Sequence, residues 1–187
     1  MPLEQFSPAG QGVVKAASDH AKAFGHNYIG TEHLLLGVMA FEESQGSGPL
    51  ITRELTTDAI ATEILARLDR HVSEADALRS IGIDPERLMD HARSELGVEL
   101  QIQGLTDPRR RLPRHAVPAD IPEDALPFTR RAYKVLNLAV GIAAGKPTGP
   151  RHVLQALLEE DGGLAVIVLE QHGIDLAALA TEISTSA

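Results

Sequence analysis

The chain of 187 residues contains no cysteine. Disulfide bridges, thiolate nucleophiles and cysteine-ligated metals are therefore excluded. The N-terminus lacks the basic, apolar and small-residue regions of a secretion signal, and no apolar run is long enough to cross a bilayer. From these features we expect a cytoplasmic protein that makes no contact with a membrane.

Aromatic residues are also scarce. They make up 3% of the chain, and tryptophan is absent. The hydrophobic content of 43% comes mainly from alanine, leucine, isoleucine and valine. Small and aliphatic side chains of this kind favour close-packed helices over sheets. The composition therefore predicts an all-α fold.

Catalytic sequence motifs are missing as well. The chain has no His-Glu-x-x-His zinc motif, no phosphate loop ending in Gly-Lys-Ser/Thr and no Gly-x-Ser-x-Gly nucleophile turn. The histidines and Glu32 match no known metal-site spacing, so we expect the histidines to be hydrogen-bonded or exposed. The histidines considered are His20, His26, His33 and His91. We expect no catalytic residue, no cofactor and no metal.

Positive charge is in short supply, since the formal net charge is -9. Nucleic-acid binding needs a concentrated basic surface, so a general nucleic-acid partner is disfavoured. One local basic run, Arg109 to His115, has two interpretations, contact with an acidic partner or solvated linker charge, and the second is favoured.

The most informative stretch runs from Gly25 to Gly37 and has the pattern of a loop followed by a helix. Gly25, Asn27 and Gly30 are turn residues, and Thr31 is the expected helix cap. Glu32 then lies in the first helical turn, where an acid suits the helix dipole. Two interpretations of Glu32 stay open here: a residue that only stabilises its helix, or a ligand-binding acid beside a loop.

The motif Tyr28-Ile29-Gly30-Thr31-Glu32-His33-Leu34-Leu35-Leu36-Gly37 resembles the signature of the Clp N-terminal domain, the substrate-receiving module of ClpC-type and ClpA/ClpB-type unfoldases. A second, weaker copy follows. Phe6-Ser7-Pro8-Ala9 matches Phe128-Thr129-Arg130-Arg131, and Gly30-Thr31-Glu32-His33 matches Gly149-Pro150-Arg151-His152. Each copy closes on Gly-Ile-Asp, at residues 82–84 and 173–175. The resemblance implies two tandem four-helix repeats packed as one domain.

The predicted boundaries are 1–97 for repeat one, 98–127 for a linker and 128–187 for repeat two. An insertion at about 41–72 enlarges repeat one and contains an added helix, expected on the surface of that repeat, with one apolar face formed by Ile60, Ile64, Leu65 and Leu68. Helices three and four of repeat one are predicted at Ser73–Ser80 and from Pro85 to Gly97, with Leu88, His91 and Ala92 inward. Residues 98–102 alternate as in a short strand.

The resemblance also implies a binding site. In ClpC-type relatives the acid that matches Glu32 binds the guanidinium of a phosphorylated arginine, with one such site in each repeat. A carboxylate can pair with a guanidinium while helix-terminal amides bind the phosphate. We therefore predict a pocket at Ser7, Thr31 and Glu32, and none in the second repeat, where Arg151 replaces the acid. Inter-repeat groove candidates are Phe6, Val14 and Phe128.

Two functions follow as expectations. The first is a stand-alone bacterial-type Clp N-domain protein that binds client proteins, adaptors or peptide-like ligands and works with a Clp ATPase in proteolysis. The second is a non-catalytic interaction or decoy module that docks an unfoldase or a regulatory partner without a modified-residue pocket. An enzyme on the same helical scaffold is a third and weaker hypothesis, because a fold does not fix a function.

Overall fold

The computed structural model of the chain describes residues 3–70, 78, 82–97, 126–160 and 162–185. Eight α-helices and two 3-10 turns lie in these ranges. The helices are α1 (Pro8–Ala23), α2 (Thr31–Gln45), α3 (Thr57–Arg70), α4 (Pro85–Leu96), α5 (Arg130–Ile142), α6 (Pro150–Glu160), α7 (Leu164–Gln171) and α8 (Leu176–Thr185). The 3-10 turns are η1 (Leu3–Gln5) and η2 (Ile51–Arg53). No strand occurs in the described ranges, so the all-α prediction is confirmed.

Helix α2 lies at the centre of the packing. Every residue from Thr31 to Met39 is buried, because α1, α3, α5, α6 and α7 all pack around this helix. Leu34, Leu35, Val38 and Met39 lie on one face of this helix, at i, i+1, i+4 and i+5. The far side of α2 is covered by helices of the second repeat, so Leu36 is fully buried as well. The two repeats therefore share one core.

The first residues of each repeat, which we call its opening, form hydrogen bonds with the other repeat. Ser7 N donates to Thr148 O at 3.0 Å, and Thr148 N donates to Gln5 O at 2.8 Å. In the matching place, Thr129 N donates to Ile29 O and Ile29 N to Pro127 O, both at 2.8 Å. The first residues of each repeat thus pair with the loop before the second helix of the other repeat. This symmetric exchange joins the predicted tandem repeats into one domain.

Helix α3 bridges the two repeats. Ile60, Ile64 and Leu68 are buried and Leu65 is half-buried, as the predicted apolar face requires. However, α3 packs on α2 and on α7, and Arg67 Nε donates to Gln171 Oε1 at 2.8 Å. The expectation that this helix lies only on the surface of repeat one is therefore wrong, because its apolar face is needed to close the shared core.

The sequence of α3 also repeats that of α8. Residues 59–64 read Ala-Ile-Ala-Thr-Glu-Ile, and residues 178–183 read Ala-Leu-Ala-Thr-Glu-Ile. Both helices are capped at the same relative position, by Thr56 Oγ1 (3.2 Å from Ala59 N) and by Asp175 Oδ1 (2.9 Å from Ala178 N). Moreover, α3 packs on α2 as α8 packs on α6. In the first repeat, α3 therefore occupies the place that α8 holds in the second, although the predicted insertion of about 41–72 includes it.

Helix α4 begins and ends as predicted but is less buried. Asp84 caps it, Pro85 is its first residue and Gly97 ends it in the left-handed conformation. Ala92 is buried and Leu88 is half-buried, whereas His91 is exposed, which corrects its predicted inward position. The predicted helix Ser73–Ser80 and strand 98–102, and most of the predicted linker 98–127, lie outside the described residues.

The sequence of the second repeat, with Gly162-Gly163 and Gly173 as helix breaks, predicts helices at about Thr129–Ala144, Pro150–Glu159, Gly163–His172 and Leu176–Ser184. The observed helices agree to within two residues at each end. Within the described ranges, no single helix is both long and apolar enough to span a membrane. One bent pair, α7 with α8, meets the length and composition criteria jointly, with 109° between its members.

The role of α3 in the core gives a stability prediction. Ile64→Ala is expected to lower the free energy of unfolding by about 2–5 kcal/mol, because Ile64 is fully buried and the truncation leaves a cavity. Thr62→Ala, on the exposed face of the same helix, should change it by less than about 0.5 kcal/mol. Urea unfolding measures both values, and similar small losses would show that α3 is only an appendage.

Candidate functional site

The candidate site lies at the N-terminal end of α2. Gly30, rather than the predicted Thr31, is the N-cap, and it has extended backbone angles. The Glu32 side chain folds back against Gly30, so closely that a Cβ atom at residue 30 would overlap its carboxylate oxygens. Glu32 is 5% exposed. Glycine at position 30 therefore leaves the space in which the Glu32 carboxylate lies.

A histidine takes over the capping role that Thr31 was expected to play. Gly30 N donates to His33 Nδ1 at 2.8 Å, and His33 Nε2 lies 2.7 Å from His26 Nδ1. Because Nδ1 accepts from the backbone, a neutral His33 carries its proton on Nε2 and donates it to His26. The His26 ring also stacks on Tyr28, with centroids 5.2 Å apart. The prediction of hydrogen-bonded histidines is confirmed for His26 and His33.

These hydrogen bonds also bear on metal binding. Potential ligand atoms of His26, Glu32 and His33 lie within 4.8 Å of one another. A metal at His33 would need a ring nitrogen, but Nδ1 accepts the Gly30 N–H and Nε2 is bonded to His26. Coordination through Nδ1 would therefore break the hydrogen bond from Gly30, and coordination through Nε2 would break the hydrogen bond to His26. The cluster fits a structural role better than a metal centre.

Burial makes the protonated ring of His33 unusually ready to lose its proton. The pKa of His33 falls from its ordinary value of 6.5 to about 3, first through burial and then through the neighbouring His26 and His20. The unfolded chain therefore binds the proton at higher pH than the folded chain does. The stabilisation is fully present above pH 6.5 and is lost as the pH falls toward 3.

A pH series tests this linkage. Between the two pKa values, the free energy of unfolding should fall by up to about 1.4 kcal/mol per pH unit. His33→Gln should flatten that slope, because glutamine offers Gly30 N–H an oxygen acceptor and does not titrate. The comparison isolates His33, since other titrating groups, such as Glu42, are unchanged in the variant. An unaltered slope in urea unfolding would contradict the assignment.

The second repeat supplies the other side of the site. Thr31 packs against Gly163, the N-cap of α7, where a Cβ would lie 2.6 Å from Thr31 Oγ1. The N-terminal ends of α2 and α7 therefore meet at Thr31. Its hydroxyl is also 3.5 Å from Glu32 Oε2.

The positively charged side chain of Arg131 lies beside the junction of α2 and α7. The Arg131 guanidinium lies over Gly162, so that a Cβ there would overlap it. Arg131 Nη1 donates to Glu160 Oε1 at 2.8 Å, and Lys134 Nζ lies 3.6 Å from the same oxygen. The Glu160 side chain is only 3% exposed, whereas that of Arg131 is 55% exposed. Glu160 thus orients Arg131 and leaves part of its guanidinium facing solvent.

The structure brings together only part of the predicted pocket. Thr31 and Glu32 are adjacent, but Ser7 Oγ bonds to Thr148 O at 3.3 Å, in the matching place of the second repeat. Thr129, which caps α5, takes the corresponding position beside Ile29. Thr129 and Arg131 were not among the site residues predicted from the sequence. The match between Phe6-Ser7 and Phe128-Thr129 could have indicated Thr129 as a site residue. That inference requires knowing that the first residues of each repeat pair with the other repeat.

The groove candidates are mostly interior residues. Phe6 and Val14 are 3% and 8% exposed and belong to the core, while Phe128 is half-buried against it. The backbone of Phe6 forms an isolated β-bridge with Thr148, and the backbone of Phe128 forms one with Ile29. The prediction that Phe6 and Val14 line an inter-repeat groove is therefore corrected, because both side chains belong to the buried core.

Comparisons with known proteins agree with this architecture. The chain is 26% identical over 184 residues to an ATP-dependent Clp protease ATP-binding subunit ClpA homolog of Cyanidium caldarium, which covers 97% of the chain and 16% of that protein. It is 25% identical to the chloroplastic chaperone protein ClpC2 of Oryza sativa subsp. japonica, 15% of which is covered. The chain thus spans about a sixth of the length of these relatives.

A solved structure shares the fold. The N-terminal domain of the ClpD chaperone from Arabidopsis thaliana superposes with a TM-score of 0.57 at 21% identity, covering 100% of this chain and 96% of that domain. The sequence model of the Clp repeat (R) N-terminal domain matches residues 4–52 and 127–187, which include both exchanged openings, α2 and all four helices of the second repeat. The chain therefore belongs to the Clp repeat N-terminal domain family.

Proposed function

We propose that the chain is a non-catalytic binding module that receives client proteins or adaptors for a Clp unfoldase. Family membership supports this proposal, as do the names of the relatives, which are a chaperone and ATP-binding subunits of a Clp protease. Those relatives are about six times longer than this chain. In this proposal, unfolding activity comes from a Clp ATPase, and the module contributes only recognition.

The ligand group proposed for the first repeat is a phosphorylated guanidinium. The observation that carries this proposal is the convergence at Thr31: the Glu32 carboxylate lies at the start of α2, and the start of α7 packs beside it. The acid would accept the guanidinium N–H groups, while helix-terminal amides offer hydrogen bonds to phosphate. Arg131, held by Glu160 at the edge of this junction, adds positive charge on the phosphate side.

The burial of Glu32 sets a condition on binding. At 5% exposure the carboxylate rests on Gly30, so a ligand guanidinium must draw it out of this position. The proposal therefore requires the Glu32 side chain to rotate away from Gly30 when the ligand binds. A carboxylate shielded from water also pairs more strongly with a cation that is desolvated together with it.

Calorimetry separates this function from general peptide binding. A peptide carrying phosphoarginine should bind with a stoichiometry near one, because Arg151 replaces the acid in the second repeat and repels a guanidinium. The same peptide with unmodified arginine should bind at least about tenfold more weakly, since it lacks the phosphate contacts. Equal affinities, or a stoichiometry of two, would contradict the single-site proposal.

A second candidate function is favoured by the same burial of Glu32. If the carboxylate stays against Gly30, the domain is a plain interaction or decoy module that docks an unfoldase, a regulatory partner or a peptide-like small molecule. Under this alternative, phosphoarginine does not bind, whereas a purified Clp ATPase is retained on the immobilised chain. The calorimetric experiment and this retention assay together assign one of the two functions.

A further inference from the structure

Gly30 and Gly149 lie at matching places, directly before α2 and α6. Gly30 N donates to His33 Nδ1 at 2.8 Å, and Gly149 N donates to His152 Nδ1 at 2.9 Å. Each glycine carbonyl also accepts the N–H of the residue four positions later, at 3.3 Å in both repeats. The two helix starts therefore have the same backbone hydrogen bonds and the same capping histidine.

The space beside the two glycines differs. At Gly30, the three atoms nearest to an added Cβ all belong to the Glu32 carboxyl group, and the Cβ would overlap them. At Gly149, the nearest atom is Ser7 Oγ at 3.7 Å, which is ordinary van der Waals contact, and no atom of Arg151 lies within 4 Å. Of these two helix starts, only that of the first repeat therefore has a charged side chain folded onto its glycine.

Backbone geometry does not explain the glycine at position 30. Its φ of -98° and ψ of -179° are extended angles that any residue adopts. An alanine there would instead remove the room that the Glu32 carboxylate occupies. Because this carboxylate is the far end of a flexible side chain, a methyl group at position 30 would displace it. Gly30 is therefore the residue that permits the inward position of Glu32.

The inward position of Glu32 is one in which the carboxylate is already engaged. Glu32 is 5% exposed and takes part in interactions within the chain. Its Oε2 lies 3.5 Å from Thr31 Oγ1, and its Oε1 lies 3.6 Å from His33 Nδ1, which in the neutral ring is an acceptor. Both distances are longer than the roughly 2.7–2.9 Å of a guanidinium–carboxylate hydrogen bond. A ligand guanidinium can therefore replace these contacts, but it has to displace them first.

We propose that the contact of Glu32 with Gly30 is autoinhibitory. The inward carboxylate closes the first-repeat site, and a phosphorylated guanidinium binds only when Glu32 has turned outward, an inference that rests on the proposed phosphoarginine function. The measured affinity is then that of the open site multiplied by the fraction of molecules in which the site is open. A site open in about a tenth of the molecules binds about tenfold more weakly than a permanently open one. Gly30 thus acts as a positioning residue for Glu32.

Gly30→Ala tests the closed state, and Gly149→Ala is its matched control. The added methyl group should hold Glu32 outward, so a phosphoarginine peptide should bind Gly30→Ala at least about threefold more tightly than the unmodified chain in calorimetry. Gly149→Ala adds the same methyl group beside the other capping histidine, where no carboxylate lies, and should leave the affinity unchanged. Circular dichroism and urea unfolding confirm that each variant is folded.

A second measurement needs no ligand. Carbodiimide with an amine nucleophile modifies accessible carboxylates, and peptide mass spectrometry reads Glu32 separately from Glu159, which is exposed. The modification rate of Glu32 relative to Glu159 should be low in the unmodified chain, because Glu32 is buried. It should rise at least about threefold in Gly30→Ala, as the population of the open state does, and stay unchanged in Gly149→Ala. An unchanged rate in Gly30→Ala would overturn the closed state, whatever the peptide titration gives.

The titration separates this inference from the function on which it rests. If the unmodified chain binds the phosphoarginine peptide and Gly30→Ala binds it no more tightly, the autoinhibitory contact is refuted and the proposed function stands. If neither chain binds, the proposed function fails and this inference fails with it. Binding by Gly30→Ala alone would support both, because the site would then be almost entirely closed in the unmodified chain.

Discussion

Glu32→Gln is expected to weaken the binding of a phosphoarginine peptide by about tenfold or more. Glutamine keeps the size of the side chain that lies against Gly30 but offers one neutral oxygen acceptor in place of a carboxylate. The loss of a charge-assisted hydrogen bond typically costs about 1.5–3 kcal/mol, which corresponds to a tenfold or greater change in the dissociation constant. Isothermal titration calorimetry measures this change directly.

Two matched variants control this result. Glu159→Gln makes the same chemical change at an exposed residue of α6 and should leave the affinity unchanged. Arg151→Ala, in the second repeat, should also leave phosphoarginine binding unchanged, because a guanidinium ligand is not expected there. If Glu32→Gln binds as tightly as the unmodified chain, Glu32 serves only its helix and the proposed pocket does not exist.

Gly37→Ala is expected to destabilise the fold although alanine is the better helix former. Gly37 lies in α2 where that helix crosses α1, and an added Cβ would overlap Val13 O and lie 3.2 Å from Ala17 N. Both neighbours are backbone atoms of a helix, so the clash can be relieved only by separating α1 from α2. Overpacking of this kind costs about 1–3 kcal/mol, which exceeds the gain in helix propensity of about 1 kcal/mol.

A glycine in α1 provides the control. Gly12 is exposed, and a Cβ there would meet no atom within 4 Å, so Gly12→Ala should raise the free energy of unfolding by about 0.5–1 kcal/mol. Urea unfolding of the two variants should thus give changes of opposite sign. Stabilisation by both would contradict the close approach of α1 and α2 at Gly37.

Local signals were enough to predict most helices. Pro85 was predicted to begin a helix and is its first residue, because this start needs only neighbouring residues to form. The prediction failed where the decisive contact is distant in sequence. Thr31 was expected to cap α2, but its side chain packs against Gly163 of the other repeat, and the cap passes to Gly30 with His33.

The site was predicted only in part for the same reason. Thr31 and Glu32 are neighbours in sequence and lie together in space. Ser7 was added because it opens the same repeat, but the chain pairs each opening with the opposite repeat, and Thr129 lies beside Ile29 instead. Likewise, α3 was predicted to lie on the surface of repeat one. No local pattern reveals that a helix of the second repeat, α7, packs on its apolar face.

A titration of the ¹⁵N-labelled chain with a phosphoarginine peptide tests the central claim most directly, because backbone amides report the position of the ligand. The largest shifts should fall on the amides of residues 30–33 and on Thr129 and Gly163, with much smaller changes at Gly149 and Arg151. Such a pattern would place one ligand at the junction of α2 and α7, formed by both repeats. Shifts confined to the second repeat, or none at saturating peptide, would contradict the account.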